Sequence, residues 1–317
     1  MSSISIPETV DNPVKSLYCL LSAVLAFSTQ DVIIKWISGD YPVHEIVLIR
    51  SCIAIFPILI IARFDGGLQS LRIRNISGHV VRSLVMFAAY TCFFLALSAL
   101  PIAETTCLFF VAPIFITIIS ALFLGDKVQP GAWVAVFTGF LGVVIMLKPG
   151  SNMFDPAGFL AILSALFYAI ASTITRKLGK TETGVSLAFS TTVMYIVFSM
   201  IVAFFLNSSS VGNESHPSMA FLFRAWRLPA QSDLIIFLGV GIVAATGFYF
   251  QSQAYRLARP SKIAPFEYIG VPLSVFWGYL IWKDMLDFQS LLGMLLIVGS
   301  GLYIFRGKKI FFKRFIK

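Results

Sequence analysis

The chain has 317 residues, of which 58% are hydrophobic and only 12% charged. A soluble domain carries about 45–50% apolar and about 25% charged residues, so a water-soluble fold is excluded. The mean hydropathy of +0.87 indicates instead a protein that crosses a membrane many times. The net charge of +9 does not imply a nucleic-acid partner. Its basic residues sit in short loops and the tail, where they orient a membrane protein.

The first twelve residues are polar, include Glu8 and Asp11, and lack a basic region ahead of an apolar run. No cleaved signal peptide is expected. Ten apolar stretches follow, each near the ~20 residues a bilayer-spanning helix needs. They cover 16–37, 43–62, 79–97, 102–124 and 131–147, then 157–174, 185–206, 234–255, 261–282 and 289–305. The expected fold is an all-α integral membrane protein of ten transmembrane helices. With the N-terminus inside, Arg63, Arg72, Arg74, Arg82, Lys127, Arg176, Lys177, Lys180, Arg256, Arg259 and Lys262 are cytoplasmic. Only Lys148, Arg224, Arg227 and Lys283 are outside. That asymmetry makes both termini cytoplasmic and places the chain in the cell inner membrane.

Five spans per half is an odd number, so the second half enters the membrane from the opposite side. Residues 16–148 and 149–305 are expected to be inverted five-helix repeats, an architecture of secondary transporters. Residues 1–15 precede them as a cytoplasmic segment, and a basic cytoplasmic tail, 306–317, follows. Alternating basic and aromatic residues suit that tail to anionic lipid, at ~1 kcal/mol per basic residue near the surface. Asn207–Asp233, rich in Ser, Asn, Gly and Pro, reads as a mobile outer loop.

One stretch occurs twice. Pro101–Pro113 reads PIAETTCLFFVAP and Pro260–Pro272 reads PSKIAPFEYIGVP. Proline lacks an N–H and clashes with the preceding turn, so it starts or bends a helix. In a bilayer such breaks survive where protein or a cavity re-satisfies the backbone. Pro101, Pro113, Pro260 and Pro272 are therefore expected to mark a pair of gating helices, against the plainer reading of buried kinks.

Charges inside spans are costly, at ~2.5–3.5 kcal/mol each at a helix centre. Asp31 and Lys35 have the i,i+4 spacing of a pair, with Lys35 able to reach the interface. Asp31 and Arg50 each lie about 9–10 Å from the outer ends of adjacent spans at 1.5 Å per residue. An Asp31–Arg50 ion pair is expected, either as a brace or as part of the substrate site. Thr173 and Thr192 occupy the matching positions of the second half. Glu267, about 10 Å from the inner end of span nine, either binds a cationic group of the substrate, carries a coupled proton, or pairs with Lys262 or Arg256 at the rim. Glu104 opens span four and is expected to face water.

Amides, hydroxyls and phenols complete the polar set. Gln30 joins Asp31 and Arg50 in the first two spans, with Tyr90 and Phe94 in the third and Tyr168 and Ser172 in the sixth. Gln251 in the eighth span and Glu267, Tyr268 and Trp277 in the ninth complete the expected substrate contacts. With Phe87, Phe93, Phe109, Phe110, Phe248 and Phe266 they outline an aromatic pocket with few hydrogen-bonding points, as small-molecule sites usually are. Cys19, Cys52, Cys92 and Cys107 fall inside apolar runs and are expected to pack there. His44, His79 and His216 are scattered. No metal or cofactor site is expected.

Asp31-x3-Lys35, Pro42-x2-Glu45-x4-Arg50, the Pro101–Pro113 stretch ending at Phe123-Leu124-Gly125-Asp126, and Ala264-Pro265-x-Glu267-Tyr268 together resemble the EamA branch of the drug/metabolite transporter superfamily. The resemblance spans residues 16–305. It implies ten helices in two inverted repeats and a central cavity lined by spans one, three, four, six, eight and nine. It also implies alternating access with a small-molecule substrate, as a monomer or a homodimer. The expected activity is secondary transport of a small polar or aromatic metabolite, amino-acid-like, nucleoside-like or vitamin-like. The span-one and span-nine motifs are similar to those of S-adenosylmethionine importers in particular. A membrane-embedded enzyme or a structural subunit is the alternative of another class, but no nucleophile with its base and no phosphate-binding loop supports catalysis.

Overall fold

In a computed structural model, residues 12–124, 130–147, 155–206, 216–258 and 260–306 are described. Among them there is no strand. The first half gives α1 (Pro13–Ile37), α2 (Val43–Phe64), α3 (Ile76–Ala99), α4 (Ile102–Phe109), α5 (Ala112–Leu124) and α6 (Pro130–Leu147). The second gives α7 (Ala157–Leu178), α8 (Gly184–Leu206), α9 (Pro217–Phe223) and α10 (Leu234–Leu257), followed by α11 (Pro260–Ile263), α12 (Gly270–Trp277) and α13 (Phe288–Arg306). Among the described residues, seven segments are long and apolar enough to cross a bilayer, with α4 and α5 counted as one. Large apolar side chains such as Phe56, Phe64, Phe137, Phe204 and Ile235 point outward, which only a lipid environment rewards.

Local chemistry sets the helix starts. Asn12 caps α1 by accepting from the Lys15 N–H, with Pro13 in the first turn. Asn75 caps α3 by accepting from Gly78 N–H. Glu182, in the α7–α8 turn, reinforces that end by accepting the backbone N–H groups of Arg74 and Asn75, both at 3.0 Å. A carboxylate there also complements the positive end of the helix dipole.

Both proline stretches break their helices at matching places. Pro113 cannot donate to the carbonyl four residues back, and α4 ends at Phe109 with α5 beginning at Ala112. Pro272 has the same effect in the second half. There α11 passes into a 3-10 segment, Ala264–Ile269, before α12 resumes. A π-helical turn, Gly278–Trp282, closes the element. The continuous span expected over 261–282 is therefore four short pieces. Tighter and wider turns of this kind gather where backbone bonding is interrupted.

The main packing pairs join one half to the other. α1 lies on α10 and α3 on α7, a pair of contacts that exchange when the halves are swapped. α2 packs on α8, and α6 on α13, each joining equivalent elements. The α6–α13 contact depends on Gly142, where an added Cβ would lie 2.8 Å from the Gly293 carbonyl.

Residues 216–233 are not the loose loop the composition suggests. Phe221 is buried. Ser218 donates to Leu95 O, and Arg224 donates to Ser38 O and Tyr41 O. The Ala230 N–H donates to the Tyr41 hydroxyl, whose own proton goes to Asp233 at 2.7 Å. The segment is a strap across the ends of α1, α2 and α3. Residues 207–215, the tail 307–317 and Asp126 lie outside the described residues. Cys52 is exposed on α2 rather than packed inside, whereas Cys19 and Cys107 are buried.

Candidate functional site

A cavity of about 100 Å³ lies between α1, α3, α4, α7, α10 and the broken α11–α12 element. These are the same six spans the resemblance implies. Its wall is largely aromatic, with Phe27, Tyr90, Phe93, Phe109, Phe110 and Tyr168. Asp31, Tyr90, Tyr168, Gln251 and Glu267, five of the residues singled out by sequence, meet there.

A hydrogen-bonded chain runs along one wall. Gln251 Nε2 donates to the Tyr168 hydroxyl at 3.0 Å, and Tyr168 donates to Glu267 Oε1 at 2.5 Å. Tyr255 donates to the same oxygen at 2.6 Å. Two phenols on one carboxylate oxygen fix its orientation and leave Oε2 unfilled. The 3-10 geometry puts Glu267 there: its backbone lies where the helix is interrupted, opposite α7 and α10. Gln251 Oε1 and the hydroxyls of Ser28 and Ser164 are likewise without partners in the described structure. Asp31 faces the cavity from α1 with no hydrogen bond among the described residues.

Several expected pairs are not formed. Arg50 feels the charge of Asp31 but does not contact it; its Nη1 donates to Gln30 Oε1 at 2.7 Å. α1 and α2 are not a main packing pair, each lying against α10, and Arg50 points into a ring cage while Asp31 faces the cavity. Lys35 does not pair with Asp31. Its ammonium donates to the carbonyls of Leu97 and Leu100 at 3.1 and 2.5 Å and lies 5.5 Å from the Trp282 ring. Thr173 and Thr192 donate back to Ala169 O and Ala188 O in their own helices. Arg256 is not bonded to Glu267, its Nε donating to Glu182 O instead, and the Lys262 side chain lies outside what is described. Glu104 is half-buried and accepts from Ser290 on α13.

The other expected contacts surround the cavity without lining it. Gln30 and Arg50 are buried behind Tyr90, and Phe94 stacks at their side. Ser172 is buried one turn beyond Tyr168. Tyr268 packs on Phe110, and Trp277 on Phe276. Tyr249 reaches Asp65 at the end of α2. Pro101 caps α4, Pro113 sits in the first turn of α5, Pro260 starts α11, and Pro272 lies in the first turn of α12. Phe27 and Tyr255 were not singled out from sequence. Tyr255 lies at the very end of an apolar run beside Arg256, where a phenol normally meets the interface.

Arg82 is a further fully buried cation. It donates to Thr175, Thr191 and Ser252 hydroxyls and to Leu187 O, all neutral groups. His79 beside it contacts Ser190 at 2.5 Å and Glu182 at 3.5 Å. This cluster ties α3 to α7, α8 and α10 on the side away from the strap.

An all-helical membrane bundle whose two interrupted helices border a polar cavity has the design of a membrane transporter. The chain matches the EamA-like transporter family over residues 14–148 and again over 156–306, and it belongs to that family within the drug/metabolite transporter superfamily. It is a multi-pass protein of the inner membrane. A riboflavin transporter of Vibrio cholerae is 28% identical over 92% of this chain and 93% of that protein. An S-adenosylmethionine uptake transporter of Rickettsia conorii is 24% identical over 91% and 92%. The pseudopaline exporter CntI of Pseudomonas aeruginosa is 27% identical over 92% and 96%. A crystal structure of a protein 17% identical in sequence superposes with a TM-score of 0.67 over 92% of this chain and 96% of that one, showing a shared fold. These relatives are transporters rather than enzymes.

Proposed function

We propose that the chain is a secondary transporter of a small organic metabolite bearing an amine and an aromatic or otherwise planar part. The carrying observation is that two cavity carboxylates, Asp31 and Glu267, have no ion-pair partner among the described residues, while Glu267 Oε2 and Gln251 Oε1 are unfilled acceptors. An ammonium group supplies both the missing charge and the missing donors. The ring wall accommodates the rest of the molecule, including cation–π contact at Tyr90 and Tyr168. This class covers amino-acid-like and S-adenosylmethionine-like compounds, and the relatives named above span both uptake and export.

The ten-span, inverted-repeat arrangement with cytoplasmic termini is part of the same proposal. It is supported by the double family match and by packing pairs that exchange when the halves are swapped. Alternating access would then release the Glu182–His79–Arg256 cluster and the 216–233 strap in turn, with the breaks at Phe110–Val111 and Ala264–Ile269 as hinges. Glu267 Oε2 is also where a coupled proton would reside. The test is uptake and export in proteoliposomes across a panel of amino acids, polyamines, S-adenosylmethionine and riboflavin. Saturable movement of an amine-bearing compound, lost in Asp31→Asn, is expected. Movement of neutral or anionic compounds only would overturn the reading.

A further inference from the structure

On the cavity side, the unfilled polar atoms are the acceptors Glu267 Oε2 and Gln251 Oε1 and the hydroxyls of Ser28 and Ser164. Behind the ring wall the unfilled atoms donate: Arg50 Nε and Nη2 and Gln30 Nε2, with the Tyr195 hydroxyl beside them. Arg50 is fully buried, and its one hydrogen bond goes to Gln30. No carboxylate touches it. Four rings, Tyr90, Phe94, Tyr195 and Phe248, lie 5.3 to 5.8 Å from its guanidinium carbon. Ring faces attract a cation by roughly 0.5–2 kcal/mol. The effective penalty for burying an ion is several kcal/mol. The cage therefore leaves the guanidinium under-compensated, with open N–H directions that only an acceptor-rich group fills.

Tyr90 separates this cage from the cavity and belongs to both. It lines the cavity and lies 5.6 Å from the Arg50 guanidinium. Among the described residues its hydroxyl makes no hydrogen bond, so ring contacts with Phe27, Phe94, Tyr195 and Phe248 alone hold it. A change of its side-chain rotamer would break no hydrogen bond among the described residues.

Resting on the reading of the cavity as the substrate site, we propose that Arg50, Gln30 and Tyr195 form an anion-accepting subsite behind Tyr90 that takes the carboxylate of the transported molecule. The substrate is then zwitterionic. Its amine lies between Asp31 and Glu267, and its carboxylate reaches the Arg50 fork once Tyr90 swings aside. A planar guanidinium takes a carboxylate by two parallel bonds, which an ammonium cannot do. A zwitterion carries no net charge of its own into the membrane interior.

The experiment compares matched probes that differ only in the carboxylate: lysine and cadaverine, arginine and agmatine, tyrosine and tyramine. Binding to the purified full chain in nanodiscs is read by tryptophan fluorescence and by ligand-induced thermal shift. In at least one pair the carboxylate-bearing probe should bind tenfold or more tightly. Arg50→Lys should bring that ratio toward one, and Tyr195→Phe, a milder change that removes one donor, should reduce it about threefold. Equal affinities within every pair, a ratio that survives Arg50→Lys, or preference for the decarboxylated probes would overturn the subsite and leave the amine-transporter reading standing. Acetate raising cadaverine affinity to that of lysine would also overturn it, because the anion would then be a separate molecule. Absence of any binding, together with absence of uptake for the whole panel, would remove both readings.

Discussion

Glu267 and Asp31 were legible as candidates, and both line the cavity, because a carboxylate in an apolar run is costly. Their partners were not legible. Sequence gives depth along a helix well but direction around it poorly: at ~100° per residue, a one-position error turns a side chain away. Thus Arg50 sits at the depth of Asp31 yet bonds Gln30, while Tyr268 lies next to Glu267 and packs on Phe110. The corrected geometry changes what mutations should do. Asp31→Asn breaks no contact, so its unfolding free energy should stay within ~0.5 kcal/mol of the parent, as surface-like substitutions do, while uptake falls at least tenfold. A large loss of stability would restore the Asp31–Arg50 brace. Glu267→Gln keeps an oxygen for Tyr168 and Tyr255 but exchanges the open acceptor for a donor. Losing a charged hydrogen bond worth about 1.5–3 kcal/mol should weaken substrate binding roughly 10- to 150-fold, and equal affinity in the variant would remove Glu267 from the site.

The helices themselves were largely readable, with observed ends within a few residues of the apolar limits. The broken elements were readable only in part. Proline marked where α4 and α11 begin, but the 3-10 form of Ala264–Ile269, which packs on α1, and the π turn Gly278–Trp282 were not readable. Pro113→Ala restores a donor to the carbonyl of Phe109 and favours fusion of α4 with α5. Maximal transport rate should drop several-fold, with the KM changing less, when uptake kinetics are measured. An unaltered rate would show that the break is not a hinge. At the other side of the bundle, Glu182→Ala strips two backbone N–H groups of their acceptor. The donors are only part-buried, so the expected cost is about 1 kcal/mol, read as a lowered thermal midpoint; no change would mean that water replaces the carboxylate.

At the scale of the whole molecule, composition and repetition made the architecture class evident, whereas the 216–233 strap was hidden because its polar residues satisfy backbone groups of distant helices. The strap has a pH lever. The Tyr41 hydroxyl and Ser232, both donating to Asp233, hold its carboxyl below the ordinary 3.8. A lowered native value means that this contact is fully present above pH 3.8 and is lost as pH falls through the native value. Strap protection against externally added protease should therefore persist at neutral pH and fail only in strong acid. Tyr41→Phe should shift the failure to higher pH, and an identical profile would exclude this contact as the fastening. The main packing, meanwhile, runs across the middle of the chain, α1 on α10, α3 on α7, α2 on α8 and α6 on α13. Each half therefore packs its helices chiefly against the other half. During synthesis the leading half must wait in the lipid, unmated, until the trailing half emerges from the ribosome. Two polypeptides divided between 147 and 155 and produced together should thus find each other and regain uptake, while either one alone should be cleared by cellular proteases.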